Sequence, residues 1–179
     1  HLRGEATVVT AHSKSTAGTA VGLIRMWWHQ DDHYDWIIAF LREHKLIPAL
    51  RFILVGGNVS LVAVFVALTA SNDGLQSRTA TVIAYVTAAC GIAVLLIWLV
   101  GVPSKLGSIC YAAISAASLA IASLLQTNPL VGFIIAAALT ATTGYTGYLH
   151  TPRVMLANLV FAVAVAAVAA AALADEMAV

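Results

Sequence analysis

Apolar residues run along this chain in blocks rather than in stripes. Over residues 52–70, 79–100, 107–125, 129–149 and 154–174 there is no Asp, Glu, Lys or Arg, so no helical face is set aside for water. Each block is about 19–23 residues long, and at ~1.5 Å rise per residue that matches the ~30 Å hydrocarbon core of a bilayer. A soluble helix of this length would show a charged face. The pattern therefore predicts an all-α fold, a polytopic transmembrane helical bundle with about five spans over residues 51–175.

The pattern changes ahead of the spans. Residues 1–22 are rich in Thr, Ser, Ala and Gly without periodicity and read as a disordered tail, and a start at His1 rather than Met suggests a processed or shortened terminus. Residues 23–50 mix aromatic and aliphatic side chains with charges of both signs. Here Asp31 or Asp32 is placed to cap a helix running through Trp36, Ile37, Phe40, Leu41 and His44 and ending near Pro48. This segment is expected to form an amphipathic helix on the membrane surface. Trp27, Trp28, Tyr34 and Trp36 would anchor it there, because such rings have an apolar body and a polar tip.

Composition sharpens the class without adding a function. The chain is 61% hydrophobic and 9% charged, where soluble domains carry roughly 25% charged residues. A net charge of +1 gives no footing for nucleic acid. Cys90 and Cys110 both fall inside apolar blocks and read as small buried hydrophobes rather than a disulfide.

The placement of charge predicts topology. Arg3, Lys14, Arg25, Arg42, Lys45 and Arg51 precede the first span, Lys105 and Arg153 lie in later connections, and Asp175 and Glu176 follow the last span. A cytoplasmic N-terminus puts nearly all of the basic residues on one side, as the positive-inside rule requires. The expected location is a bacterial inner (plasma) membrane, multi-pass. The partners expected are the lipid bilayer, a second copy of the chain or another membrane subunit, and no nucleic acid.

The spans give little purchase to catalysis. Ionisable residues at membrane depth mark proton relays and ion paths, and these blocks have no acidic or basic side chain beyond imidazole at their edge. A pump, a coupled transporter or a retinal protein, which needs a lysine within a span, is disfavoured. A non-catalytic chain is expected. The polar residues inside, among them Asn58, Ser115, Ser118, Thr142 and Asn158, read mainly as close-packing and interhelical hydrogen-bonding devices. The alanine- and serine-rich third and fifth spans should both be buried or tightly apposed.

The end of the fourth span stands apart. Thr143-Gly144-Tyr145-Thr146-Gly147-Tyr148-Leu149-His150 gathers phenol, hydroxyl and imidazole groups within two turns. Tyr145, Tyr148 and His150 are the candidates for a ligand- or state-sensing site, with Tyr145 and Tyr148 three apart and expected on one face. An aromatic belt with a capping His is the simpler reading. A bis-His haem would require His44 or His33 as a partner of His150. His29 and His33, four apart with carboxylates between them, are weak metal candidates if a helix joins them. No metal and no cofactor is expected.

Three segments together carry a resemblance: WWHQDDHYDWIIAFLREHKLIPALR from Trp27, WLVGVPSKLGS from Trp98, and GYTGYLHTPR from Gly144. They resemble the N-terminal membrane domain of actinobacterial GGDEF proteins, a family of diguanylate cyclases. The matching positions are Trp27, Trp28, Asp32, His33, Tyr34, Asp35, Trp36, Arg42, Trp98, Pro103, Tyr145 and His150, over roughly residues 25–174. The resemblance implies a membrane-anchoring and signal-input domain whose cytoplasmic cyclase domain follows a further span. This sequence has no GGDEF signature, so that catalytic domain is not expected within it. The alternative is a small structural or subunit-type membrane protein packed against a larger complex.

Overall fold

The computed structural model describes residues 21–70, 75 and 77–177. The disordered tail expected over 1–22 lies outside them, except for residues 21 and 22, which belong to a helical stretch described over 21–28. After a break come α1 (Tyr34–Glu43), α2 (Ile47–Ala70), α3 (Arg78–Val100) and α4 (Lys105–Leu124). α5 (Pro129–Ala137), α6 (Leu139–Leu149) and α7 (Pro152–Met177) complete an all-helical bundle. Five helices or helix pairs are long and apolar enough to cross a membrane: Ile47–Ala67, Arg78–Val100, Lys105–Leu124, Pro129–Leu149 and Pro152–Met177.

The ends of these helices follow from local chemistry. The Ser77 and Ser104 side chains cap α3 and α4, accepting from the N–H groups of Ala80 and Gly107, and Asn128 caps α5 by accepting from Leu130 and Val131. Pro48 proves to open the first span instead of closing the helix before it. Proline is tolerated in a first turn because its missing N–H would have no intrahelical acceptor there. The first span therefore begins at Ile47, ahead of the residue-52 start suggested by the charge-free block. Between α1 and α2 the chain reverses at Lys45, which has φ 57°, and Leu46 N–H donates to Leu41 C=O at 2.8 Å. That left-handed step closes α1 with a Schellman-type bond.

The fourth span is one block in sequence but two helices in space. At Ala138 the N–H donates to Ile135 C=O at 3.0 Å, three residues back, and Ala141 N–H does the same to Ala138. Beside this tightened turn the hydroxyls of Thr140 and Thr142 donate to the carbonyls of Ala137 and Leu139, each at 2.7 Å. Hydroxyls that bond backwards onto backbone carbonyls bend helices, and this run of threonines accounts for the break.

The third span is the bundle's centre. Of its apolar window 39% is buried, against 6% for the first span and 17% for the fifth, so the fifth is less enclosed than its alanine content suggests. Close approach of helices rests on small residues and polar contacts. A Cβ on Gly132 would lie 2.7 Å from the Ser123 carbonyl, while Ser123 hydroxyl donates to Gly132 C=O at 2.7 Å. Asn158 of α7 donates to the hydroxyls of Thr142 and Thr143 at 3.0 and 3.1 Å. Cys90 and Cys110 are exposed on the bundle rather than buried. In a bilayer the outward faces meet apolar solvent, so small apolar residues need not turn inward.

Candidate functional site

One end of the bundle gathers the starts of α1, α2, α4 and α7 with the ends of α3 and α6, and here apolar packing gives way to a polar junction. α1 lays Tyr34, Ile37, Ile38 and Leu41 against Val94, Trp98, Tyr111 and Leu149 of the spans. The same helix turns Trp36 and Phe40 outward. The bundle thus claims one apolar face of α1, while the membrane-surface position expected for this segment is not shown. Tyr34, expected beside the tryptophans as an interfacial ring, is only 2% exposed and belongs to this core.

Asp32 is the hub of the junction. Its Oδ1 accepts from Tyr34 N–H at 2.8 Å, two residues on, which holds the start of α1 although His33 occupies the cap position. Its Oδ2 lies 3.4 Å from Lys105 Nζ and 3.5 Å from His150 Nδ1. The His150 side chain is fully enclosed, stacked on the Tyr34 ring with 5.4 Å between centroids and 3° between planes. On its far side Nε2 is 2.9 Å from Ser108 hydroxyl, which is 2.5 Å from Tyr145 hydroxyl. Tyr34 hydroxyl donates to Pro103 C=O at 2.6 Å.

A single proton assignment satisfies every member but His150 Nδ1. Tyr145 donates to Ser108, Ser108 donates to Nε2 of a neutral His150, and Nδ1–H points at Asp32 across a distance too long for a well-formed bond. Burial pushes the His150 pKa below its ordinary value; Asp32 pulls the other way by favouring imidazolium, and Lys105 adds to the lowering. Burial likewise raises the Tyr34 phenol, with Asp35 and Asp32 adding to the rise and Ser108 opposing it. Tyr34 therefore stays a protonated donor.

Of the three sensing candidates, Tyr145 and His150 are brought together through Ser108. Tyr148 is not: it is 61% exposed and turned away from the network. Three residues along a helix leave about 60° between side chains, enough to separate an enclosed face from an open one. His29 Nδ1–H donates to Arg25 C=O at 2.8 Å, and residues 30–33 are not helical, so no continuous helix aligns it with His33. Among the described residues no cluster of three metal-ligating side chains occurs. At the edge of the junction, Arg153 lies over the Trp28 ring at 5.7 Å, beside a cleft bordered by His29, Asp31, Asp32, Lys105 and Thr151.

Ser108, Asn58, Tyr111 and Trp98 are the participants that sequence reading does not single out as site residues. Deeper in the bundle, Asn58 donates to Leu54 C=O and to Tyr111 hydroxyl. Trp98 is fully enclosed and meets Tyr111 and Tyr145 edge-on, at 6.3 and 6.5 Å. Tyr111 and Tyr145 lie 5.3 Å apart. An aromatic cage thus connects the charged junction to membrane depth. Neither a protein-family model, nor a curated protein, nor a solved structure matches the chain.

Proposed function

We propose that this chain is a membrane-anchoring signal-input module, the regulatory part of a diguanylate cyclase of the GGDEF type. The observation that carries the reading is the enclosed Asp32–His150–Ser108–Tyr145 junction, which ties the segment ahead of the spans to the third and fourth spans. A change at either side of His150 moves groups on three separate elements, which is the property an input domain requires. The resemblance of the Trp27–Arg51, Trp98–Ser108 and Gly144–Arg153 segments to the membrane domains of actinobacterial GGDEF proteins points the same way. In this reading the chain lies in the bacterial plasma membrane with the junction end cytoplasmic, since Arg25, Arg42, Lys45, Arg51, Lys105 and Arg153 cluster there. Trp27, Trp28 and Trp36 then sit at headgroup level.

The test is cyclic di-GMP in cells carrying the full-length protein. His150→Gln and Asp32→Asn should shift its level at constant protein amount. Unchanged cyclic di-GMP in these variants and in a deletion strain would overturn the reading. A second reading, a structural subunit of a larger membrane complex or a homodimer, is favoured by one observation: the first span is 6% buried and leaves most of its surface open. Isolation of a stable complex through that span, with cyclic di-GMP unaffected, would select it.

A further inference from the structure

A second feature lies below the junction, within the membrane-spanning region. α2 packs chiefly on α3, and between α2, α3, α4 and α6 is a cavity of about 430 Å³. That size falls within the range of small-molecule sites. Its walls are aliphatic and small side chains such as Leu54, Leu61, Ala88 and Leu119, and no charged residue lines it. A charged headgroup or a carboxylate would have no counter-charge there, at a depth where an unpaired charge is expensive. The occupant must be uncharged.

Polar groups reach the cavity along its length. Asn58, Tyr111 and Tyr145 line it toward the charged end, and Thr87, Ser115 and Ser118 line it further in. Asn58 lies seven residues beyond Arg51 and Tyr111 six beyond Lys105, so both sit roughly 10 Å inward of the charged end. The Asn58 amide spends its two N–H donors on Leu54 C=O and Tyr111 hydroxyl. Tyr111, having accepted that bond, still carries one O–H proton, with Ser115 one turn further on as its other side-chain neighbour. The site therefore offers a phenol donor beside aromatic ring faces, above a long apolar trough. A ring carbonyl with an aliphatic tail matches all three parts.

We propose that this cavity binds an uncharged, membrane-soluble quinone with an isoprenoid tail, its carbonyl accepting from Tyr111 beside Asn58. The quinone enters from the bilayer alongside the weakly buried first span. Because Tyr145 lines the cavity and is bonded to Ser108, which meets His150, occupancy is felt at the charged junction. This deepens the signal-input reading and rests on it for its consequence, but binding itself is measured separately.

The experiment titrates a short-tailed menaquinone into the full chain in phospholipid nanodiscs. Trp27, Trp28 and Trp36 are replaced by Phe so that quenching of Trp98, beside Tyr111 and Tyr145, reports the site. Saturable quenching is expected, weakened about tenfold by Tyr111→Phe, the effect of one lost buried hydrogen bond, and by a smaller factor in Asn58→Leu, which acts on the quinone only by holding Tyr111. Gly57→Phe should abolish it: a Cβ at Gly57 meets open space, and the residue lines the cavity. Gly56→Phe, equally open but outside the lining, keeps binding and controls for folding. Quenching that does not saturate, that ignores all three lining variants, or that diacylglycerol displaces equally well would overturn the proposal. Binding with unresponsive cyclic di-GMP would sink the signalling reading and leave the site. Responsive cyclic di-GMP without binding would do the reverse.

Discussion

Replacing Asp32 separates the parts it plays at the start of α1. Asp32→Ala removes the acceptor for Tyr34 N–H, the neighbour of Lys105 and the partner of His150 Nδ1. Loss of a helix-start acceptor costs about 1 kcal/mol. The Lys105 pair adds a few tenths to about 1 kcal/mol at most, because the Lys105 side chain is half exposed and screened by water. Asp32→Ala should therefore cost α1 about 1–2 kcal/mol of local stability. Asp32→Asn keeps an acceptor for Tyr34 N–H, loses the charge, and should cost less than about 1 kcal/mol. Hydrogen exchange resolves this where global unfolding does not, since α1 can open without the spans. Amide protection over 34–43 should fall about tenfold in Asp32→Ala, with the third span unaffected, and only slightly in Asp32→Asn. Equal losses in both variants would show that charge rather than capping dominates. No loss in either would refute the hub role of Asp32.

The remaining expectations reach other parts of the molecule. Gly132→Val should destabilise the bundle by about 1–3 kcal/mol, because its Cβ would lie 2.7 Å from Ser123 C=O; Gly144→Ala, with open space around its Cβ, is the neutral comparison in a detergent unfolding assay. Unfolded His150 titrates near ~6.5 and the folded residue lower, so below that pH the unfolded state holds the extra proton. Stability should be constant above that pH with respect to this residue and decline as pH falls through it; His150→Gln should flatten the decline, and an unchanged slope would place its source elsewhere. For orientation, Ser104→Cys should be shielded from an impermeant maleimide outside intact cells and Ser77→Cys labelled, with Cys90 and Cys110 first replaced by Ala. The opposite labelling inverts the topology.

Much of the architecture was legible because a charge-free block long enough to cross a bilayer has few alternatives. Boundaries and bends were less so. Pro48 reads as a terminator by propensity and serves as a first-turn residue, a choice decided by what precedes it in space. The break at Ala138 has no proline or glycine to announce it, and only the spacing of Thr140, Thr142 and Thr143 hints at backward hydrogen bonding. Tyr145 and His150 were marked as polar groups at membrane depth, whereas Ser108 was one serine among several in a small-residue span. Its importance comes from facing α6, a tertiary fact without a local signature. Asp32 was legible as a capping residue. Its meeting with His150 joins positions far apart in the chain, and no periodicity encodes that.

The bond between Asn58 and Tyr111 also sets an order of assembly. The two residues are 53 positions apart, and translation at about 5–20 residues per second leaves roughly 3–10 s between their synthesis. During that interval the first span is in the bilayer with an amide whose second N–H has no phenol to meet. α1 waits longer still, because Leu149 and His150, against which it finally rests, are made well after Tyr111. Val94, Trp98 and Tyr111 reach its apolar face before those two do. The apolar face of α1 is therefore covered in stages, by Val94, Trp98 and Tyr111 first and by Leu149 last.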